Sequence, residues 1–342
     1  MRKRELFLIR FAKAIEKKLH RCNVPLYSSK YSRKDFTLHQ HIQLLALRQK
    51  LGGPGYLRFV EEILPGMTAV CDYIGLTKTP HDTTLQKAAA RIGRHRIEQI
   101  IQEFLGSRRF KSCSLGIDAS GFSLTHASHH YVRKISRPPP RKKRGPGRPR
   151  KHRKVKRYLH TTLISELRHT QFVVTVSIRH GPKNDSPPLI PTAKKVDLAQ
   201  EISSLDTDKG YDAESNLAWV AEEWGAEPRF DLRNRDVPVY RTHGEHRKKR
   251  KRHLRKRGRK PKKHRNKCET VFSVIKRVHG EAVLARRVKM QNIELLYKLL
   301  AYNARRAVKL LLLRGFLHGP LQSLQEWQGP TSLLGKSASR CS

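Results

Sequence analysis

The chain has 342 residues, of which 37% are hydrophobic, and its 73 Lys and Arg residues against 28 Asp and Glu residues give a net charge of +45. This hydrophobic fraction predicts a packed core over part of the chain only. A charge of this size favours nucleic acid as a partner, because phosphate contacts by Lys and Arg release counterions. An anionic membrane surface is the alternative, but the sequence contains no amphipathic anchor or lipidation motif to support it.

Helices are predicted for the N-terminal third of the chain. The first twenty residues favour an amphipathic helix over a signal peptide, because Arg10 and Lys13 interrupt the apolar run. Apolar spacing predicts further helices between residues 36 and 105, with Thr83 and Gln86 placed as a capping box. We therefore predict a helical DNA-binding or dimerisation module over residues 1–110, for which a helix-turn-helix and a plain helical packing domain are both open.

The pattern changes at residue 112. An apolar strand that ends at Asp118 is followed by two segments rich in β-branched residues, 158–167 and 170–179. Helix and strand then alternate, with helices expected over 189–202 and in a long amphipathic segment near the end. This order predicts an α/β domain over residues 111–316, with helices covering a mixed sheet, followed by a frayed tail over 317–342.

Two basic runs interrupt the predicted α/β domain. Residues 137–157 contain twelve Lys and Arg, residues 247–267 contain fifteen, and neither run contains an acid. Self-repulsion predicts that both are disordered arms in the free protein. Arg148 and Arg150 lie in "GPGRPRK", which resembles an AT-hook for A·T-rich minor grooves, and Lys262 lies in a poorer copy, "RGRKPKK". The alternative is a nonspecific polycation that raises DNA affinity.

Cysteine usage and the lack of a long apolar segment indicate the compartment. The five cysteines have no Cys-x-x-Cys spacing, which favours reduced thiols in a reducing environment. The apolar stretch near residues 310–317 is too short to cross a bilayer. These features predict a soluble cytoplasmic protein with no membrane partner.

Three acids in separate segments indicate a cation site. Asp118 and Asp208 each end a predicted strand, where open α/β sheets bind ligands. Two such carboxylates brought together cannot both stay ionised without a cation or a proton, and Mg²⁺ prefers hard oxygen ligands. Glu269 opens a later helix and shares one face with Arg265 and Lys276, which are suited to phosphates. Asp206, two residues before Asp208 on the same strand face, is the main competitor for the second position.

These segments together resemble the DDE (Asp-Asp-Glu) transposases of prokaryotic insertion sequences. The resemblance covers roughly residues 112–310 and rests on "LGIDASGF", "DKGYDAE" and "RNKCETVFSVIK". The last of these has the C-terminal signature of Arg, three residues, Glu, six residues and Lys. Lys262 stands where that signature usually has Tyr. The resemblance implies a ribonuclease-H-like fold in which Asp118, Asp208 and Glu269 are the catalytic, metal-binding triad.

The resemblance also implies a reaction. Two Mg²⁺ or Mn²⁺ ions would support cleavage of double-stranded DNA at the element ends and strand transfer into target DNA. Arg265 and Lys276 would grip phosphates near the cut. We expect a nucleoid-associated protein that acts as a homodimer in its DNA complex, because two ends must be joined. A noncatalytic nucleic-acid-binding protein on the same fold and a metal-dependent nuclease without strand transfer are the alternatives.

Overall fold

A computed structural model describes residues 3–106, 110–125, 158–181, 184–257 and 266–318 of the chain. Four of the predicted DNA contacts lie outside these ranges. They are Arg148 and Arg150 in the first basic run, and Lys262 and Arg265 in the second. Residues 319–342 of the predicted tail also lie outside the described part.

The N-terminal segment is helical, as predicted. Its helices are α1 (Lys3–Arg21), α2 (Leu38–Lys50), α3 (Tyr56–Arg58, continued by a π-helical turn over Phe59–Ile63), α4 (Thr68–Ile74), α5 (Asp82–Ile92) and α6 (Arg94–Gly106).

The predicted capping box is wrong in its location. Helix α5 begins one residue before Thr83, and the side chain of His81 accepts the capping hydrogen bond from the Thr83 N–H. A reciprocal box forms instead at the start of α2, between Thr37 and Gln40. Gly93, with a φ of 80°, separates α5 from α6.

The described strands form one mixed sheet. They are β1 (Ser112–Leu124), β2 (Tyr158–Glu166), β3 (Val173–His180), β4 (Glu201–Thr207), β5 (Glu227–Phe230) and β6 (Ala282–Val283). The order is β3-β2-β1-β4-β5, with β6 also beside β1. Strands β2 and β3 are antiparallel to their neighbours, whereas β4 and β5 run parallel to β1. The predicted α/β class with a mixed sheet flanked by helices is confirmed.

The helices that cover the sheet come both before and after β5 in the sequence. They are α7 (Leu189–Ala193), α8 (Glu214–Glu223), α9 (Glu245–Arg257), α10 (Asn266–His279) and α11 (Val288–His318). Helix α7 is much shorter than the helix predicted for residues 189–202, because β4 already begins at Glu201.

The second basic run is folded over its first half, which corrects the prediction of a disordered arm. Residues 247–257 belong to α9. Arg250 and Lys251 are buried within it, with 8% and 3% of their surface exposed. These basic side chains can be buried in a helix because acids and carbonyl groups of other segments bind them. The carboxylate of Glu214, for example, accepts hydrogen bonds from the N–H groups of His246 and Arg247 at the start of α9.

Helix α11 joins the N-terminal helices to the sheet. It packs against α1, α2 and α6 on one side and against β3 on another. The side-chain amide of Asn303, which is fully buried, donates to the carbonyls of Val173 on β3 and Ile101 on α6. The N-terminal helices and the sheet therefore share one core. In the part of the chain that the structure describes, no helix combines the length and apolar character that crossing a bilayer requires.

Candidate active site

Asp118 lies in the middle of β1 and not at its end, which corrects the predicted strand boundary. Parallel pairing of β1 with β4 stops at Gly116, opposite Asp206. The short strand β6 joins β1 only from Ser123 onward. Between these two pairings, within the described strands, this side of β1 is open at Asp118, and one of its carboxylate oxygens accepts a hydrogen bond from the Ala119 N–H at 2.9 Å.

Asp208 lies directly after the end of β4. Continuing the register of Gly116 and Asp206 by two residues brings Asp118 next to Asp208, on the same face of two strands about 4.8 Å apart. The carboxylate of Asp208 accepts a hydrogen bond from the Lys209 N–H at 2.6 Å. This contact starts the 3₁₀ turn over Lys209–Tyr211 and fixes the direction in which the chain leaves the sheet.

Glu269 reaches the site because α10 lies very close to β1. A Cβ atom on Gly116 would be only 2.5 Å from the sulfur of Cys268, so only glycine allows this approach. Farther along, Phe272 packs against Phe122, with ring centroids 6.3 Å apart. Helix α10 therefore covers the face of β1 that also carries the first aspartate, with Glu269 in its first turn and exposed to solvent.

The three predicted acids line one small cavity. It has about 20 Å³ of space for a water-sized sphere, which is room for about one water or small ion. Burial, with added repulsion from Glu269, Asp208 and Asp185, raises the pKa of Asp118 to about 6, although the hydrogen bond from Ala119 opposes the rise. The cavity is lined by Ile117, Asp118, Asp206, Thr207, Asp208, Cys268 and Glu269.

Asp206 shares the cavity with Asp208 but lies deeper. Only 5% of Asp206 is exposed. Burial raises the pKa of the Cys268 thiol, which lines the same cavity, to about 12, and Asp206 adds to the rise. Asp208 is only partly buried, and it contributes to the raised pKa of Asp118. The geometry thus favours Asp208 over Asp206 as the acid that a ligand entering from solvent would meet.

Asp212, which follows the turn after Asp208, does not cap the following helix. The residue before α8 is Ala213, which makes no side-chain cap. Asp212 instead accepts hydrogen bonds from the Arg233 N–H at 2.9 Å and from Arg247 Nε at 2.7 Å. It therefore ties the loop that follows Asp208 to the start of α9.

Lys276 lies seven residues beyond Glu269 on α10, at the other end of the same covered stretch of β1. Its ammonium group is 5.5 Å from the ring centroid of Phe122 and 3.3 Å from Glu281 Oε1. The side chain is 26% exposed. It is therefore near the face that carries Asp118, but its ion pair is with Glu281 and not with the acids of the cavity.

Asp185 is a fourth carboxylate near the site that the sequence interpretation missed. It contributes to the raised pKa of Asp118, and its Oδ1 is 3.0 Å from Nε2 of His160 on β2. Its other oxygen would be 3.3 Å from a Cβ on Gly210, in the turn after Asp208. The residue lies in a proline-containing loop, and no local sequence pattern distinguishes it from an ordinary loop acid.

The residues at the cavity are suited to a divalent cation. Their donors are carboxylate oxygens, which Mg²⁺ and Mn²⁺ prefer, and a cation would offset the repulsion that raises the pKa of Asp118. Among the side chains of the described ranges, no group of three or more His, Cys, Asp or Glu residues is already drawn together as a metal-binding cluster. The acids would have to close around an ion.

Comparison with known proteins identifies the family. Neither the curated proteins nor the solved structures include a match to this chain. The family described as transposase DDE domain matches residues 110–304, a range that contains all of β1 to β6 and the three acids. Because this match covers more than half of the 342 residues, and the matched range has the mixed sheet expected of a ribonuclease-H-like domain, the chain belongs to the transposase DDE domain family.

Proposed function

We propose that this chain is a transposase that binds the DNA ends of its own element, cuts them and joins them to target DNA. Membership of the family implies a transposase or nuclease type of enzyme with DNA as its partner. The observation that carries the finer proposal is the convergence of Asp118, Asp208 and Glu269 on one cavity. The three acids come from distant segments of the chain, and a shared cation would explain why the fold brings them to one cavity.

Asp118, Asp208 and Glu269 are the proposed metal-binding carboxylates. The family generally uses divalent metal ions, and we propose two Mg²⁺ or Mn²⁺ ions for this chain. When bound, such ions would stabilise negative charge on the reacting phosphate. The chain's own contribution is to present carboxylates from β1, from the residue after β4 and from α10, held against the sheet.

Basic residues around the site are the proposed phosphate contacts. Lys276 would exchange its exposed partner Glu281 for a DNA phosphate. Arg265, four residues before Glu269 in the sequence, would grip a second phosphate near the cut. We propose that Arg148, Arg150 and Lys262 add affinity as part of the basic runs. Each phosphate contact removed would weaken binding for all sequences and flatten its dependence on salt.

The remaining proposals concern assembly and location. Joining two element ends requires two active sites, so we propose a homodimer in the DNA complex. We place the protein at the nucleoid, where its substrate is. Residues 1–110 are the proposed DNA-binding or dimerisation module, with the catalytic domain over 111–316.

Cleavage of a labelled duplex that carries the inverted repeats flanking the coding region tests the proposal. We expect cutting that depends on Mg²⁺, followed by joining of the cut end to a second duplex. Asp118→Asn should abolish cutting while DNA binding stays near that of the parent. Asp236→Asn, at an exposed acid of the loop before α9, is the matched control and should cut normally.

Each alternative gives a different result in this assay. Cutting without joining would indicate a nuclease. Binding without cutting under any divalent ion would indicate a noncatalytic DNA-binding protein on the same fold. Cutting by Asp118→Asn at the parent rate would refute the assignment of the acids.

A further inference from the structure

Helix α9 is too basic to be stable on its own. Nine of its thirteen residues are Lys or Arg, and its one acid is Glu245. Like charges four residues apart on a helix destabilise it, and they recur along this segment. Contacts with other segments must therefore stabilise α9. The face of the helix that makes these contacts determines which basic side chains stay exposed to solvent.

The inner face of α9 is held by acids and carbonyls. Arg247 bonds to Asp212 at 2.7 Å, next to the turn that follows Asp208. Arg250 Nε donates to the Phe230 carbonyl on β5, and the same guanidinium pairs with Glu227 at 3.6 Å. The helix thus covers the edge strand β5, beginning beside the candidate active site.

A second set of contacts fixes the rotation of α9 about its axis. Lys251 Nζ donates to the Asn234 carbonyl at 2.7 Å and to Thr242 Oγ1 at 3.1 Å. His253 lies 3.7 Å from the carboxylate of Glu227. Because these contacts hold one face of α9 against the rest of the protein, the opposite face of the helix is exposed to solvent.

That outward face carries Lys249, Arg252 and Arg255, which we call the α9 stripe. All three are exposed and follow one another at three-residue intervals, so the stripe is about 9 Å long. None of the ion pairs formed among the described residues involves them. Three exposed cations therefore follow one another on a docked helix. An acid near them is Glu245 at the start of the helix, whose pKa is lowered by Lys248 and, to a smaller extent, by Arg252 and Lys249.

We infer that the α9 stripe binds the phosphate backbone of duplex DNA that flanks the reacting end. A row of three cations can neutralise up to about three phosphates and release their counterions. The stripe starts two residues after Arg247, which is bound to the loop behind Asp208, and reaches about 12 Å from it. This inference rests on the proposed function, because it assigns a docking surface to the same DNA.

Titration of a fluorescently labelled duplex of mixed sequence into the full chain at several salt concentrations tests the inference. The test variant changes Lys249, Arg252 and Arg255 to Ala, which favours helix at exposed positions. The matched control changes Arg286, Arg287 and Lys289 to Ala, which removes the same charge from exposed positions next to α11. Unchanged thermal melting shows that both variants are folded.

The stripe variant should lose at least about tenfold in affinity, and its plot of log affinity against log salt should be shallower by two to three. The control should lose much less. Equal losses in the two variants, or no loss in the stripe variant, would overturn the inference while leaving the proposed function intact. Failure of the parent chain to bind duplex DNA at all would instead contradict the proposed function, and the inference with it.

Discussion

At the scale of single residues, Asp118 opposes folding when it is ionised. Its pKa is about 6 in the folded protein against an ordinary value of 3.8, chiefly because it is buried. A raised carboxyl pKa means that the folded state holds this proton more tightly than the unfolded state does. The stability that the protonated Asp118 carboxyl contributes is therefore fully present below about pH 4 and is lost as the pH rises through 6. A carboxylate held at this cost is typical of a functional position.

Asp118→Asn should therefore stabilise the protein above pH 6, by up to about 3 kcal/mol for a carboxyl whose pKa is raised from 3.8 to about 6. The difference from the parent should vanish near pH 4, where the parent carboxyl is protonated as well. Thermal melts across this pH range measure the effect. Adding Mg²⁺ should raise the melting temperature of the parent more than that of the variant. A variant that is less stable than the parent at pH 8 would contradict the electrostatic account.

Gly116 controls how close α10 comes to β1. Gly116→Ala would place a methyl group 2.5 Å from the Cys268 sulfur and 2.8 Å from a Leu167 methyl. We expect a loss of about 1–3 kcal/mol in stability, as for other overpacked sites, together with reduced cleavage because Glu269 moves away from Asp118. Denaturant unfolding and the cleavage assay measure the two effects.

A second substitution separates crowding from other causes. Adding Cys268→Ala to Gly116→Ala removes the closest atom, so both stability and cleavage should partly recover. Cys268→Ala alone should leave a small cavity and retain activity. If the double variant is worse than the sum of the single changes, direct crowding between these two residues is not the cause.

At the scale of elements, Lys298 of α11 secures the end of the helix that carries Glu269. Its buried ammonium group donates to the carbonyls of His279, Gly280 and Ala282 at 2.8–2.9 Å. These include the last carbonyl of α10, where a positive charge complements the helix dipole. Gly280, with a φ of 83°, allows the chain to turn there. Helix α10 is thus held at both ends, by Gly116 near its start and by Lys298 at its end.

Lys298→Met should cost about 2–4 kcal/mol, because three buried carbonyls lose a charged donor. Lys289→Met, at an exposed position in the first turn of the same helix, is the control and should change stability by less than about 0.5 kcal/mol. Chemical denaturation of both variants gives the comparison. A similar small change in both would show that solvent replaces Lys298 at the end of α10.

The elements also show what the sequence could predict. β-Branched runs predicted β2 and β3, and helical spacing predicted α10 with Glu269 near its start, because these signals are local. The true capping box, the folded half of the second basic run and the roles of Asp212 and Asp185 were missed. The capping box is local, since Thr37 and Gln40 are three residues apart, whereas the other three depend on partners far along the chain, as when Asp212 binds Arg247 or Asp185 approaches His160.

The three acids show the same division. All three line one cavity, but the sequence pattern could not distinguish the depth of Asp206 from that of Asp208. Asp206 belongs to β4 and is 5% exposed, whereas Asp208 follows the end of the strand and is only partly buried. Helix α11 was predicted as amphipathic from its spacing. Its residues 293–304 are all buried, because helices and strand surround it on every side.

At the scale of the whole molecule, α11 lies inside a core formed by two parts of the chain. A helix buried all round needs partners on every face. The N-terminal helices supply some of them and β3 supplies others, with Asn303 bonded to both. His279, at the end of α10, adds a link through its Nδ1 to the Gln49 carbonyl on α2 at 3.1 Å.

Expression of residues 110–318 without the first 109 residues tests this arrangement. We expect an aggregated or loosely packed product with no cooperative thermal transition, because one side of α11 would face water. Mixing it with a separately made fragment of residues 1–109 should recover helical signal and a cooperative melt. A monomeric, cooperatively folding 110–318 fragment would show that the first helices are dispensable for the core.

The shared helix has a consequence for how the enzyme could be engineered. A catalytic unit chosen by homology alone would begin at residue 110 and stop at residue 304, and so would cut through the middle of a packed interior. Swapping the front helices for another DNA-binding module, a common route to retargeted recombinases, would here require redesigning the apolar surface of α11 as well.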